Sequence, residues 1–123
     1  MRNKRISKYL INERRTLKEA LSQLETSVEK TLLVIDSKKK FLGTLTDGDI
    51  RRYLATHNDP LTSVPVIELM NHDAVFLTEE KRPNFENKSL IPLLDKNGCV
   101  KKIYRKWSDC FEIGDKIVGA DAK

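Results

Sequence analysis

Cysteine is scarce: Cys99 and Cys110 are the only two among 123 residues. They form no paired ligand spacing, so the chain encodes neither a disulfide framework nor a structural zinc site, and two free thiols fit a reducing compartment. Long apolar runs are missing as well. None approaches the roughly 18 residues of a membrane span, and the charged start lacks the apolar stretch of a secretory signal. By elimination the sequence reads as cytoplasmic, with no membrane contact. Aromatic residues make up 7% of the chain, and none is interleaved with the basic residues in the manner of a nucleic-acid reader. The two histidines, His57 and His72, lie in polar linkers. No acid–base pair, activated nucleophile or metal-ligand cluster emerges, so no catalytic residue is assigned, no metal or cofactor is required, and the chain is not read as an enzyme.

What is present is a charged chain with recurring short apolar runs: 39% hydrophobic, 33% charged, formal net charge +5. Its length suits one compact domain that can bury a core without staples. The excess charge is local. Arg2, Lys4, Arg5, Lys8, Arg14 and Arg15 face only Glu13 within the first 15 residues, so the remainder is neutral overall. Such a basic arm suits a solvated helix or an acidic partner better than nucleic acid, for which no motif is present.

Along the chain, Ile6, Tyr9 and Leu10 predict a short leading helix over Lys4–Ile11. Thr16-Leu-Lys-Glu19 is a capping box. Behind it Leu17, Ala20, Leu21, Leu24 and Val28 recur at helical spacing, predicting a helix over residues 17–28. Thr31–Ile35 and Phe41–Leu45 predict an antiparallel hairpin turning at Ser37–Lys40. Lys38-Lys-Lys40 at its tip reads as solvated charge. Thr46 then opens a helix to about His57, with Ile50 and Leu54 on one face. Residues 60–65 read as a connector, followed by one helical turn at Val66–Met70 with Ile67 and Met70 inward. A strand is expected at Ala74–Leu77. Leu90–Leu94 and Val100–Tyr104 flank Asn97-Gly98, a strong hairpin signal. Beyond Trp107 the pattern loses period. Trp107 and Phe111 either seal the core or touch a partner, and the sequence does not choose.

The two hairpins superpose at an offset of 59 residues: Leu33-Val-Ile-Asp36 over Pro92-Leu-Leu-Asp95, Phe41 over Val100, Leu45 over Tyr104. A duplicated strand–turn–strand unit with flanking helices predicts two half-modules about a pseudo-two-fold axis, with clefts between them. The organisation expected is a leading helix and first repeat over 1–62, a second, degenerate repeat over 63–110, and a tail or linker over 111–123.

The segment TLKEALSQL, TLLVID and FLGTLTDGDIRRYL resembles a cystathionine-β-synthase-type (CBS) domain. VIELM followed by AVF, and then IPLLDKNG, resemble the opening and central hairpin of a second one. The resemblance implies an α/β (α+β) fold of tandem CBS repeats, each a small sheet with flanking helices, the second with a shortened helix. TDGDIRR behind a basic leading helix is further similar to CBS pairs that precede sugar-nucleotide nucleotidyltransferase domains, implying a regulatory part for an attached or partner nucleotidyltransferase. CBS pairs bind adenosine nucleotides such as AMP, ADP or ATP, and some bind S-adenosylmethionine. The resemblance implies a site at Gly43, Thr46 and Asp49, with Thr46 and the helix N-terminus on phosphate and Asp49 on ribose. Asp47 adds a negative charge there that a cation must offset. A plain capped helix explains Thr46 and Asp49 equally well.

The second repeat departs from the pattern. Arg105 takes the position of Thr46 and Ser108 that of Asp49, with Asp109 one residue late, so a second nucleotide site is not expected, although Arg105 or Lys106 could reach a phosphate. Between Glu79 and Lys88 the sequence lacks most of a helix. Pro83 interrupts it, and Asn84 and Asn87 are poor helix formers. An exposed sheet face is therefore expected there, covered by a second chain as a homodimer or by a neighbouring domain. A non-catalytic dimerisation or interaction module with a decayed nucleotide site is the alternative function.

Overall fold

The computed structural model describes residues 4–106 and 111–112. Trp107, Ser108, Asp109, Cys110 and the tail from 113 lie outside the described residues. The chain runs α1 (Lys4–Ser7), β1 (Leu10–Asn12), α2 (Leu17–Glu25), β2 (Thr31–Ile35), β3 (Phe41–Thr46), α3 (Asp47–Thr56), a 3-10 turn (Val66–Glu68), β4 (Leu90–Leu94), β5 (Val100–Arg105) and β6 (Phe111–Glu112). It forms two three-stranded sheets, β1-β2-β3 and β4-β5-β6.

Strand β2 explains the architecture. All five of its residues are buried, because its two faces serve two cores. Leu32 and Val34 pack under α2 and α3 with Leu17, Ala20, Leu24, Leu45 and Ile50. Leu33 and Ile35 point the other way and pack with Leu90, Leu94, Val100 and Ile103 of the second hairpin. The period-two alternation of a strand thus joins a helix-covered core to the interface between the repeats. Ile6 and Tyr9 complete that second core.

The 59-residue repeat extends to single hydrogen bonds. In the first hairpin one carboxylate oxygen of Asp36 accepts from the backbone N–H of Lys38 and Lys40 at 2.8 and 2.9 Å. In the second, Asp95 accepts from Asn97 and Cys99 at 2.8 and 3.0 Å. Each β ladder slips register at the equivalent step, Val34/Ile35 and Leu93/Leu94. Lys39 and Gly98 hold the equivalent left-handed position, with φ of 71° and 84°. The two tips meet through a backbone bridge between the equivalent residues Lys40 and Cys99, which puts the pseudo-two-fold axis there.

Several expectations need correcting. The leading helix stops at Ser7, since Leu10 and Ile11 are drawn into a parallel pairing with Leu33 and Val34. Helix α2 ends at Glu25, and Val28 stands 80% exposed beyond it. Leu54 and Ile67 are on the outside, and Tyr53 and Val66 pack inward in their place. Ala74–Leu77 forms no strand. Only Leu77 makes a single parallel bridge, to Leu93. That bridge matches the pairing of Ile11 with Val34, but with a much shorter connection. The residues that form α2 in the first repeat have no counterpart, and no helix occurs between Thr78 and Ser89. Even so, the second sheet is not left open. Ile91 and Leu93 are each 1% exposed, and Lys102, buried on the same face opposite Leu93, ion-pairs with Glu80 at 3.0 Å.

Candidate functional site

Strand β3 runs directly into α3, and that junction builds the site. Thr46 is the N-cap. Its hydroxyl accepts from the Asp49 N–H at 3.1 Å, and Asp49 Oδ2 accepts from the Thr46 N–H at 2.9 Å. Asp49 Oδ1 accepts from the Arg52 guanidinium at 2.6 Å. The capping role expected of these residues is therefore present in full. A carboxylate has about four lone-pair sites, so Asp49 keeps acceptor capacity beside these bonds. Gly43 is required by packing within the chain. A β-carbon there would lie 2.3 Å from the Asn71 carbonyl oxygen. The glycine lets the chain after the 3-10 turn lie against β3, where Thr44 and Asn71 exchange backbone hydrogen bonds at 3.1 and 2.7 Å.

That contact closes one end of a cleft of about 270 Å³ lined by Thr31, Thr44, Thr46, Asp49, Arg52 and Asn71 on one side and Asn87, Lys88, Ser89 and Leu90 on the other. It lies between the repeats, as the duplicated pattern predicts. Its walls are hydroxyls, amides, two cations, one carboxylate and the apolar Leu90. Asp47 is not among them. It faces Leu21, Leu24, Glu25 and Lys30 around the corner of α3, and Arg51 pairs with it.

Arg105 is elsewhere too. The pseudo-two-fold axis generates a second cleft, lined by Lys8, Tyr9, Thr26, Ser27, Val28, Glu29 and Arg105, with a volume of only about 40 Å³. Its equivalence to the first is visible in the backbone: Asp47 N–H reaches Lys30 O, and Lys106 N–H reaches Ser89 O. Arg105 thus stands where Thr46 does, and Glu29 where Lys88 does. The two close on each other, Arg105 Nε donating to Glu29 Oε2 at 2.7 Å, with 17% and 4% of their side chains exposed. Burial raises the Tyr9 phenol above its usual value. Arg105 opposes the rise, while the charge of Glu29 and a hydrogen bond to it add to it. The expectation that Arg105 could reach a phosphate meets this pair: its guanidinium already holds a carboxylate. Among the described residues no cluster of three or more His, Cys, Asp or Glu side chains could hold a metal, and no helix is long and apolar enough to cross a membrane.

The family of CBS domains matches residues 5–56. This chain contains a CBS domain. Solved structures extend the likeness to both halves. A CBS domain protein of Streptococcus pneumoniae TIGR4 covers 80% of this chain and 72% of its own, at 17% identity and TM-score 0.69. A hypothetical conserved protein of Geobacillus kaustophilus covers 80% of each chain at 16% identity and TM-score 0.71. The CbpB protein of Listeria monocytogenes, solved in complex with c-di-AMP, covers 80% of each at 14% identity and TM-score 0.68. No curated protein matches the chain. The fold is that of a tandem CBS pair, the second CBS repeat lacking its long helix.

Sequence inspection singled out Thr46 and Asp49 but missed Arg52, Asn71, Asn87, Lys88 and Glu29. The last two were within reach. The same 59-residue offset relates Glu29 to Lys88, and a reversal of charge at paired positions is a signal.

Proposed function

We propose that the chain is a cytoplasmic, non-catalytic regulatory module that binds one adenosine nucleotide in the larger cleft. The observation that carries this is the polar gap of about 270 Å³ between the CBS repeats, bounded by the Thr46–Asp49 helix start and by Lys88 and Arg52. The free N–H groups of the first turn of α3 and the Thr46 hydroxyl suit a phosphate, and Lys88 and Arg52 supply positive charge. Asp49 accepts from ribose hydroxyls, as carboxylates do in other nucleotide folds. The complex of c-di-AMP with the Listeria CbpB protein supports an adenine-bearing ligand, and c-di-AMP joins AMP, ADP and ATP as candidates. Binding would bias an attached or partner nucleotidyltransferase, or the pairing of this chain in a homodimer, through the stiffening of the cleft.

Titration calorimetry with each of the four ligands tests it. The expected result is saturation near one ligand per chain for at least one of them, with a sharp loss in Asp49→Ala. No heat and no melting shift with any of them at millimolar concentration sinks it. The second reading, an interaction module with a decayed site, is favoured by one feature: both oxygens of Asp49 already have partners. Light scattering separates its dimeric form from a monomer.

A further inference from the structure

We propose that Arg52 makes the larger cleft selective for phosphorylated ligands: it occupies the ribose-recognising oxygen of Asp49 and yields it to a ligand whose phosphate takes the guanidinium in exchange. Resting on the nucleotide reading above, this role adds a discrimination between nucleotide and nucleoside.

Asp49 has one partner on each oxygen. Oδ2 accepts from the Thr46 N–H at 2.9 Å, a bond that belongs to the cap of α3. Oδ1 accepts from Arg52 Nη2 at 2.6 Å. The first donor is backbone and fixed in place. The second belongs to a side chain that is 74% exposed, against 14% for that of Asp49. An ion pair with one partner largely in water adds little to the fold, and its cation can turn into solvent at small cost. Of the two bonds on Asp49, the one to Arg52 is therefore the one a ligand can exchange.

The guanidinium has little distance to travel. Position 48 is glycine, and the point where a β-carbon would sit lies 3.5 Å from Arg52 Nη1 and 3.7 Å from Thr46 Oγ1. The fork thus already lies over the first turn of α3, beside the hydroxyl proposed to hold phosphate. Planar, forked N–H donors suit phosphate oxygens as they suit a carboxylate.

A nucleotide replaces both halves of the pair. Its ribose donates to Asp49 Oδ1, and its phosphate accepts from Arg52. A nucleoside makes the first exchange alone and sends Arg52 into solvent with no anion in return. Specificity is a difference of affinities. Here it arises from a contact that every ribosyl ligand breaks and only a phosphorylated one replaces. Lys88, the second cation of the cleft, has no such part. It attracts phosphate, but the bonds on Asp49 are to Thr46 and Arg52.

Titration calorimetry on the full chain tests this with the wild type, Arg52→Met and Lys88→Met. Whichever of AMP, ADP, ATP and c-di-AMP binds the wild type most tightly is compared with adenosine. Arg52→Met should lower the affinity for the nucleotide about tenfold, the loss of one charge-assisted hydrogen bond. The same variant should bind adenosine about two- to fivefold more tightly, because no ion pair has to be broken first. Lys88→Met should weaken the nucleotide and leave adenosine unchanged. An adenosine affinity that Arg52→Met leaves unchanged or lowers overturns the proposal, as does an equal gain in Lys88→Met, and either result leaves the nucleotide reading standing. A wild type that binds no nucleotide at millimolar concentration overturns that reading and the role of Arg52 with it.

Discussion

The two clefts of this CBS pair are built on one backbone plan and end in opposite states. The larger keeps Thr46, Asp49, Arg52 and Lys88 around open space. The smaller is shut by Glu29 and Arg105, an ion pair screened from water. The difference teaches that duplication conserves hydrogen-bonded geometry more strictly than it conserves chemistry. The Asp36 and Asp95 turns agree bond for bond, while residues a few positions away have reversed charge. At the facing positions of the two clefts the side chains differ, Lys88 and Thr46 in one and Glu29 and Arg105 in the other.

The largest effect should come from breaking the closed cleft. Arg105→Met strands the Glu29 carboxylate in a buried position and should cost about 3–5 kcal/mol. Adding Glu29→Met should recover most of that loss, because two apolar side chains replace the pair. Lys88→Met and Arg52→Met in the open cleft should each stay within about 0.5 kcal/mol. Urea denaturation of the five proteins checks the contrast. Equal losses in the two clefts would erase it.

Gly43 comes next. Its alanine variant forces a β-carbon against the Asn71 carbonyl, a backbone atom that cannot swing aside. A loss of about 1–3 kcal/mol is expected from such overpacking. The same measurement on Gly98→Ala sharpens the comparison between repeats. No atom lies within 4 Å of a β-carbon there, but the φ of 84° should cost about 1–2 kcal/mol in backbone strain alone.

The reverse exchange has a smaller effect of opposite sign. Lys39 carries the same left-handed conformation in the first hairpin with a side chain attached. Lys39→Gly should therefore stabilise by up to about 1 kcal/mol, the relief of strain being partly offset by the greater freedom of the unfolded chain. A destabilised Lys39→Gly would show that the lysine has contacts worth more than its strain.

The gentlest probe is acid. Backbone N–H groups, of Lys40 first for Asp36 and of Cys99 first for Asp95, hold both carboxyls below their usual pKa. A depressed folded pKa gives stability that is present above the unfolded pKa, near 4, and is lost as pH falls through the folded value. Replacing either aspartate by asparagine should flatten the fall in stability below pH 4, and by similar amounts in the two repeats. Chemical denaturation between pH 2.5 and 7 reads this out.

Much of this was legible in the sequence. The capping boxes at Thr16 and Thr46, both hairpins and their 59-residue offset follow from local chemistry, and local chemistry is what a sequence displays. The errors share a cause. Leu10, Ile11 and Val28 have helical spacing, but pairing with β2 claims the first two, and the helix stops short of Val28. The missing second helix was foreseen, yet its consequence was not: Ile91 and Leu93 are buried regardless, with Lys102 and Glu80 paired on the face a helix would have covered. At the site, Thr46 and Asp49 stood out because they are neighbours on one turn. Lys88 and Arg105 come from opposite ends of the duplicated unit, and only the folded pairing shows that one lines an open cleft and the other a filled one.

The filled cleft also shapes how the module would answer to dose. Under the proposed reading of one ligand per chain, occupancy would climb along a simple hyperbola, and the signal would grade smoothly with ligand concentration. A chain with two linked clefts could instead produce a threshold. With Glu29 and Arg105 paired in its other cleft, such a chain would lack steepness within the monomer, and a sharp response would have to come from association with another molecule.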